Sequence, residues 1–269
     1  MTSRSQPNPI STSLKSSRPP VAMHPLSSAE LLTVWESGLN QGTDQQALRL
    51  LLAAMPEKTE ADLKAFSIGE RDYHLMRLRH QLFGSRFDSV SQCPNCKEQL
   101  QWDSDIRELY ALGREAYPVQ RNPIIQTERW TIRLRPLSHS DINALLQEPD
   151  ETAKPEQLLR ASVLAIKNQE DDTVAFEQLS KTDRNAIVNA LQAADPLARV
   201  DIDLTCPACD HRWQALFDIA SFLWAEINAW ALRTLHGIHL LASNYGWTEQ
   251  DILAMTPTRR QIYLDMVAR

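Results

Sequence analysis

Cys93-Pro94-Asn95-Cys96 and Cys206-Pro207-Ala208-Cys209, separated by 109 residues, hold every cysteine of the chain. Two residues between paired cysteines let one tight turn present both sulfurs to a single ion, and proline after the first cysteine favours that turn by fixing φ. Zinc takes four thiolates tetrahedrally at about 2.3 Å, so one pair leaves two positions open and two pairs close the site. In a reducing compartment, cysteines confined to such pairs indicate metal before disulfide. The competing reading, two loose thiol pairs or a redox disulfide, wants a strand–helix–strand context that neither stretch has. The separation exceeds the roughly 15–20 residues of compact sites, yet each doubling of a loop adds only about 0.6 kcal/mol of closure entropy. Lys97 and Asp210 follow the second cysteine of each pair, where such knuckles usually carry glycine. His211 is close enough in sequence to replace a cysteine ligand or to support one.

Outward from each knuckle the sequence alternates as strands do. Phe87 to Gln92 leads into the first, and Leu100 and Trp102 share a face of the return run to Ser104. Val200, Ile202 and Leu204 lead into the second, with Trp213, Ala215 and Phe217 beyond it. Aligning Cys93 with Cys206 also aligns Cys96 with Cys209, Leu100 with Trp213, Gln101 with Gln214, and Asp105-Ile106 with Asp218-Ile219. Each half therefore reads strand, knuckle, strand, Asp-Ile, helix: two copies of one unit.

Helical periodicity dominates the remainder. Helices are expected from Ser27-Ser28 through Trp35, over about Thr43 to Met55, and from Ile68 to Phe83 with Gly84 just past the end. Further ones are expected over about Ile106–Leu112, Ser140–Gln147, Pro155–Asn168, Thr182–Ala193 and Asp218–Asn244, after Thr248, and from Pro257. Arg129 to Arg135 reads as a strand. The fold expected is α+β, predominantly α-helical, with a zinc-ribbon-like pair of β-hairpins (about 87–104 and 199–217). A single domain of residues 26–269 contains them, with a strand/helix insertion at about 113–198. Residues 1–25, rich in Ser and Pro and without acidic residues, are expected to be a disordered tail.

Bulk properties narrow the function. The net charge of −6 argues against broad affinity for nucleic acid or an anionic membrane surface. Seven glycines are too few for a Gly-rich nucleotide-binding architecture, and no apolar run reaches membrane-spanning length. No secretory h-region stands at the N-terminus, so a cytoplasmic location is expected. No nucleophile elbow, phosphate loop or paired-carboxylate pattern is present, which points to a non-enzymatic protein without a small-molecule substrate.

Several other residues are candidates for chemistry. His236 and His239 lie within reach of one metal on a helix, but lack the acidic residue of a metalloprotease and read as a polar helix edge. Glu70-Arg71-Asp72 complements a helix N-terminus or contacts a partner. Thr258-Arg259-Arg260 is a solvated helix face or an anion or partner patch. Trp213, Trp224 and Trp230 stand at core spacing, though the helix from Phe222 to Tyr245 carries more apolar surface than one face needs. Trp224 and Trp230 are therefore candidates for partner binding, with Arg259 and Arg260 as a polar rim.

Ile68-Gly69-Glu70-Arg71-Asp72-Tyr73-His74-Leu75-Met76-Arg77-Leu78-Arg79, Leu82-Phe83-Gly84 and the first knuckle carry a family likeness. So do Leu204 to Cys209, Phe217-Asp218, Phe222-Leu223-Trp224-Ala225-Glu226, Tyr245-Gly246-Trp247, and Arg259-Arg260 before Tyr263-Leu264. Together they resemble the baseplate hub assembly chaperone family of T-even-type phages, most closely the version carried by phage-tail-like contractile injection systems. The resemblance runs from about Leu26 to Arg269 and is weakest in the middle. It implies a non-enzymatic helper in building a baseplate hub, with hub proteins as partners; the structural Zn2+ at Cys93, Cys96, Cys206 and Cys209 is expected from the cysteine spacing itself. The alternative from another class is a zinc-ribbon nucleic-acid-binding protein, disfavoured by the net negative charge.

Overall fold

Capping chemistry sets where the helices begin. In the computed structural model, which describes residues 22–111, 113, 117, 122–146 and 149–267, α1 (Ser28–Gly38) starts on a reciprocal box between Ser27 and Glu30. After α2 (Thr43–Ala54) a short α3 (Glu60–Lys64) is capped the same way by Thr59 and Asp62. The sequence reading passed over α3 because five residues show no helical period. Then α4 (Ile68–Phe83) begins on Ser67 and ends at Gly84, whose φ of +86° suits glycine. Its ψ of −173° is extended rather than left-handed helical, so the chain leaves sharply into a strand. That strand, β1 (Arg86–Gln92), pairs antiparallel with β2 (Gln99–Asp105), followed by α5 (Ile106–Ala111).

The chain then enters the insertion: β3 (Ile124–Gln126), β4 (Thr131–Leu134), α6 (His139–Leu146), α7 (Lys154–Ser162), β5 (Val163–Lys167), a 3-10 turn at Phe176–Gln178, and α8 (Lys181–Ala194). The three strands form one antiparallel sheet in the order β3-β4-β5. One expectation is corrected here. The helix predicted over Pro155–Asn168 stops at Ser162, and Val163–Lys167 is a strand. Pairing decides it, because Ile166 lies opposite Ile132 across the ladder with both side chains buried, and β-branched residues fit such a surface. Trp130, Ile132, Leu134, Ile166, Phe176, Leu179 and Ile187 form a hydrophobic core belonging to this insertion.

The second hairpin, β6 (Asp201–Thr205) and β7 (Arg212–Leu216), leads into α9 (Ile219–Tyr245), then α10 (Glu249–Ala254) and α11 (Pro257–Val267). At 27 residues, α9 is about 40 Å long and forms the spine of the main core. Leu223, Ile227, Ala231, Ile238 and Leu241 are buried along it, with Leu31, Trp35, Leu51, Leu75 and Leu78 from α1, α2 and α4 in the same cluster. The predominantly helical expectation holds, and the sheets are small and antiparallel. The tail expectation for residues 1–21 lies outside the described residues. Its boundary moves, because Met23 is already part of the main core and the His24 N–H donates to the Ala54 carbonyl.

The N-terminus of α4 fastens the insertion to the main core. Asp195, just past α8, accepts from Ser67 Oγ, from the Gly69 N–H and from Tyr117 Oη, and the Ile68 N–H donates to the Leu137 carbonyl. A Cβ at Gly69 would collide with Tyr117 Oη and the Asp195 carboxylate, so the approach requires glycine.

His74 on α4 gives this core a pH dependence. It is buried between Phe66 and Tyr73. Burial first, then Arg77 and Lys58, pulls its pKa down from 6.5 to about 3. A depressed imidazole contributes stability in full above the unfolded pKa and loses it as pH falls from 6.5 toward 3. Asp72 acts in the opposite sense: burial, opposed by Arg71, raises it from 3.8 to about 6, so its contribution is present in full below 3.8 and is lost as pH rises toward 6. The His74→Phe variant is expected to remove about 2 kcal/mol of the stability change between pH 7 and pH 5. Urea midpoints for both proteins at the two pH values check this; parallel shifts would count against it.

Candidate metal centre

Each knuckle is a turn at the tip of a hairpin, and the two tips match bond for bond. The Cys93 N–H donates to the Glu98 carbonyl at 2.9 Å and the Cys206 N–H to the His211 carbonyl at 2.9 Å. The Lys97 N–H donates to the Cys93 carbonyl at 3.0 Å and the Asp210 N–H to the Cys206 carbonyl at 2.9 Å. Lys97 and Asp210 take φ values of +65° and +55°, the conformation that glycine usually supplies at this position. The correspondence continues down the hairpins. Asp105 accepts from the Arg107 N–H to start α5, and Asp218 accepts from the Ala220 N–H to start α9. The sequence echo is thus a structural repeat, although the hairpins remain separate two-stranded sheets.

The repeat brings the four sulfurs together. Cys93 Sγ lies 3.8 Å from Cys209 Sγ, Cys96 Sγ lies 3.5 Å from Cys206 Sγ, and all four lie within 4.8 Å of one another. Sulfurs bonded tetrahedrally at about 2.3 Å to one zinc stand about 3.8 Å apart, so the donor set fits such an ion. The close pairs join one hairpin to the other. In each knuckle the first cysteine is buried, while Cys209 is half-buried and Cys96 exposed.

As thiols, the four do not titrate alike. Hydrogen bonds from the Asn95 amide and the His211 backbone bring Cys209 down to about 6. Cys96, although the Glu98 backbone favours its thiolate, is pushed up to about 12 by Cys209, burial, Cys206 and Cys93. Like charges at this spacing cannot all form unaided, and a divalent cation among them removes that obstacle.

The bases of the hairpins meet as well. Phe87 of the first stacks on Phe217 of the second at 5.3 Å between ring centres, and Phe222 of α9 packs against both. Over this cluster lies Arg79 of α4, only 2% exposed, in a two-bond ion pair with Glu226 of α9 at 2.8 and 2.9 Å. Its third contact is Nη1 donating to the Gly84 carbonyl at 2.7 Å. The sequence reading did not single out this pair. A signal existed: Arg79 falls on the helical face of Leu75, Met76 and Leu82, where a charge needs a partner.

The other candidates are dispersed. His211 stacks on Trp213 and is outside the sulfur cluster. His236 and His239 are exposed and join no metal-ligating group among the described residues. Arg71 bridges Asp72 and Asp44, both at 2.7 Å. Trp224 and Trp230 are half-buried against the main core, Trp224 so close over Gly38 that a Cβ there would strike its ring. The apolar side chains that stay exposed on the C-terminal helices are instead Leu232, Tyr245, Ile262 and Met266. Arg259 is exposed beside Tyr263, but Arg260 is buried and so is no part of an exposed rim. It faces α1 rather than solvent because it sits one turn from Leu264, which packs on Gly237 of α9.

The model of one protein family, described as T4 bacteriophage base plate protein, matches residues 22–224 of the 269. The chain belongs to the T4 bacteriophage base plate protein family. No curated protein and no solved structure matches it significantly. The base plate family match starts at residue 22, beside Met23 of the main core, and spans both knuckles and the insertion. It ends at Trp224, so most of α9 and all of α10 and α11 lie beyond it. Among the described residues of this base plate family member, no helix is long and apolar enough to cross a membrane.

Proposed function

We propose that this chain is a non-enzymatic assembly factor for the baseplate of a phage or phage-tail-like contractile particle, working through protein–protein contacts in the cytoplasm. The observation that carries the reading is the base plate family match over residues 22–224, which spans the whole cysteine centre. Within it, Cys93, Cys96, Cys206 and Cys209 would hold one zinc ion as a split zinc ribbon. Four thiolates fill tetrahedral zinc and leave no position for water or substrate, so the ion's part is to clamp the two hairpins. A chaperone reading, rather than a permanent baseplate part, rests on the resemblance of Ile68–Gly84 and the knuckles to hub assembly chaperones.

The test is genetic. Deleting the gene from a strain that makes the particles should reduce complete particles by tenfold or more, with hub components left unincorporated, and supplying the protein separately should restore them. Normal particle yield from the deletion strain would end this reading. Salt-dependent binding to DNA by the purified protein would favour the nucleic-acid alternative instead.

A further inference from the structure

Two hydrophobic cores meet in this protein without merging. Among the described residues, the cluster around Ile132 and Ile187 shares no member with the main core. The helices and strands that pack extensively on one another do so within the insertion or within the main body, and not across. Between the two units lies a cleft of about 270 Å³, with Ser67 and Glu70 on one wall and Asn122, Arg135 and Ser138 on the other. Units that meet without a large apolar interface move relative to one another by default.

The two connections to the insertion leave the main core side by side. Tyr117 and Leu197, one from each connection, belong to that core, and the Leu197 N–H donates to Tyr117 Oη at 3.3 Å. Asp195, two residues before Leu197, accepts from the same hydroxyl and so belongs to this crossing point. Beyond it, the link between β4 and α6 touches the main body through a few polar contacts. The Ile68 N–H donates to the Leu137 carbonyl at 2.9 Å, Ser67 and Ser138 form an isolated bridge, and His139 Nδ1 lies 3.8 Å from the Asp44 carboxylate. Adjacent connections supply an axis, and these contacts supply a catch.

We propose that the insertion is a hinged arm that swings as a unit about the connections at Tyr117 and Leu197, released when Ile68 and Leu137 part. Hinges of this kind concentrate the backbone change in a few residues between rigid elements. Opening widens the cleft and leaves both hydrophobic cores and the four sulfurs as they are. The hinge does not depend on the assembly role proposed above, and neither does its test.

Two measurements on the intact protein test the hinge. In native-state hydrogen exchange, the Ile68 N–H should be at least about tenfold less protected than the Arg71 N–H, which donates to the Ser67 carbonyl in the same helical turn. Swinging frees Ile68 alone, whereas fraying of α4 frees both. For the second measurement, a dye pair is carried by encoded unnatural residues at Val188 of α8 and Leu232 of α9, both exposed. Single-molecule energy transfer should then show a minor second distance beside the main one. Ile68→Pro removes the catch's N–H at a position that suits proline, since Ile68 is the first residue of α4 and Ser67 before it is extended. One such hydrogen bond contributes about 1 kcal/mol net, so the share of the second distance should rise about fivefold. Ile68→Ala keeps the N–H and should match the wild type. Equal protection of Ile68 and Arg71 would overturn the hinge. So would one unchanged distance in all three proteins, or equal shares in the proline and alanine variants. Should Ile68→Pro fail to fold, exchange and distances in the wild type decide.

Discussion

Replacing Cys206 with serine is expected to release the metal and lower the melting temperature of the whole protein by about 6 °C or more. Structural zinc bound by thiolates contributes folding free energy directly, and a loss of at least about 3 kcal/mol corresponds to that shift in a chain of this size. Cys93→Ser should do the same, although Cys93 lies in the other hairpin. The four sulfurs lie within 4.8 Å of one another and each hairpin supplies two of them, so neither hairpin closes the site alone. Loss of one ligand therefore loosens both. Wild-type protein should carry about one zinc per chain by metal analysis. Two ions per chain, or two halves melting separately with each variant affecting only one, would contradict a shared centre.

That centre was legible because its signals are local. A Cys-Pro-x-Cys turn, flanking alternation and an Asp-Ile pair each occupy a few residues, and their recurrence after Cys206 supplied the pairing. Helix starts at Ser27 and Thr248 were readable for the same reason, since a cap and its partner lie three residues apart. The illegible parts depend on neighbours distant in sequence. Val163–Lys167 is a strand because of Ile132, more than 30 residues earlier, and carries helical spacing otherwise. Arg259 and Arg260 look equivalent in the sequence, and only the packing of α11 on α9 and α1 separates an exposed cation from a buried one. Trp224 and Trp230 fit either core or docking surface by pattern, and the proximity of Gly38 puts Trp224 against the core.

Arg79→Met is expected to cost about 3 kcal/mol, toward the lower end of what breaking a buried ion pair costs. The lower end applies because Glu226, left without its partner, keeps 26% of its side chain in water, whereas Arg79 itself is 2% exposed. The Gly84 carbonyl loses its donor at the same time. Removing both charges is a different perturbation: in Arg79→Met with Glu226→Leu no uncompensated carboxylate remains, and apolar side chains meet Phe87 and Phe222. The double variant should therefore be more stable than Arg79→Met alone, by about 1–2 kcal/mol. Urea melts of the four proteins of this cycle provide the comparison. The effect should also reach the sulfurs, because Phe87 and Phe217 join the hairpins at their bases as the cysteines join them at their tips. Arg79→Met should accordingly lose zinc to a chelator faster than wild type, while the double variant recovers part of the difference. Unchanged zinc release in Arg79→Met, despite a clear loss of stability, would show that the tips hold the ion without help from the aromatic base.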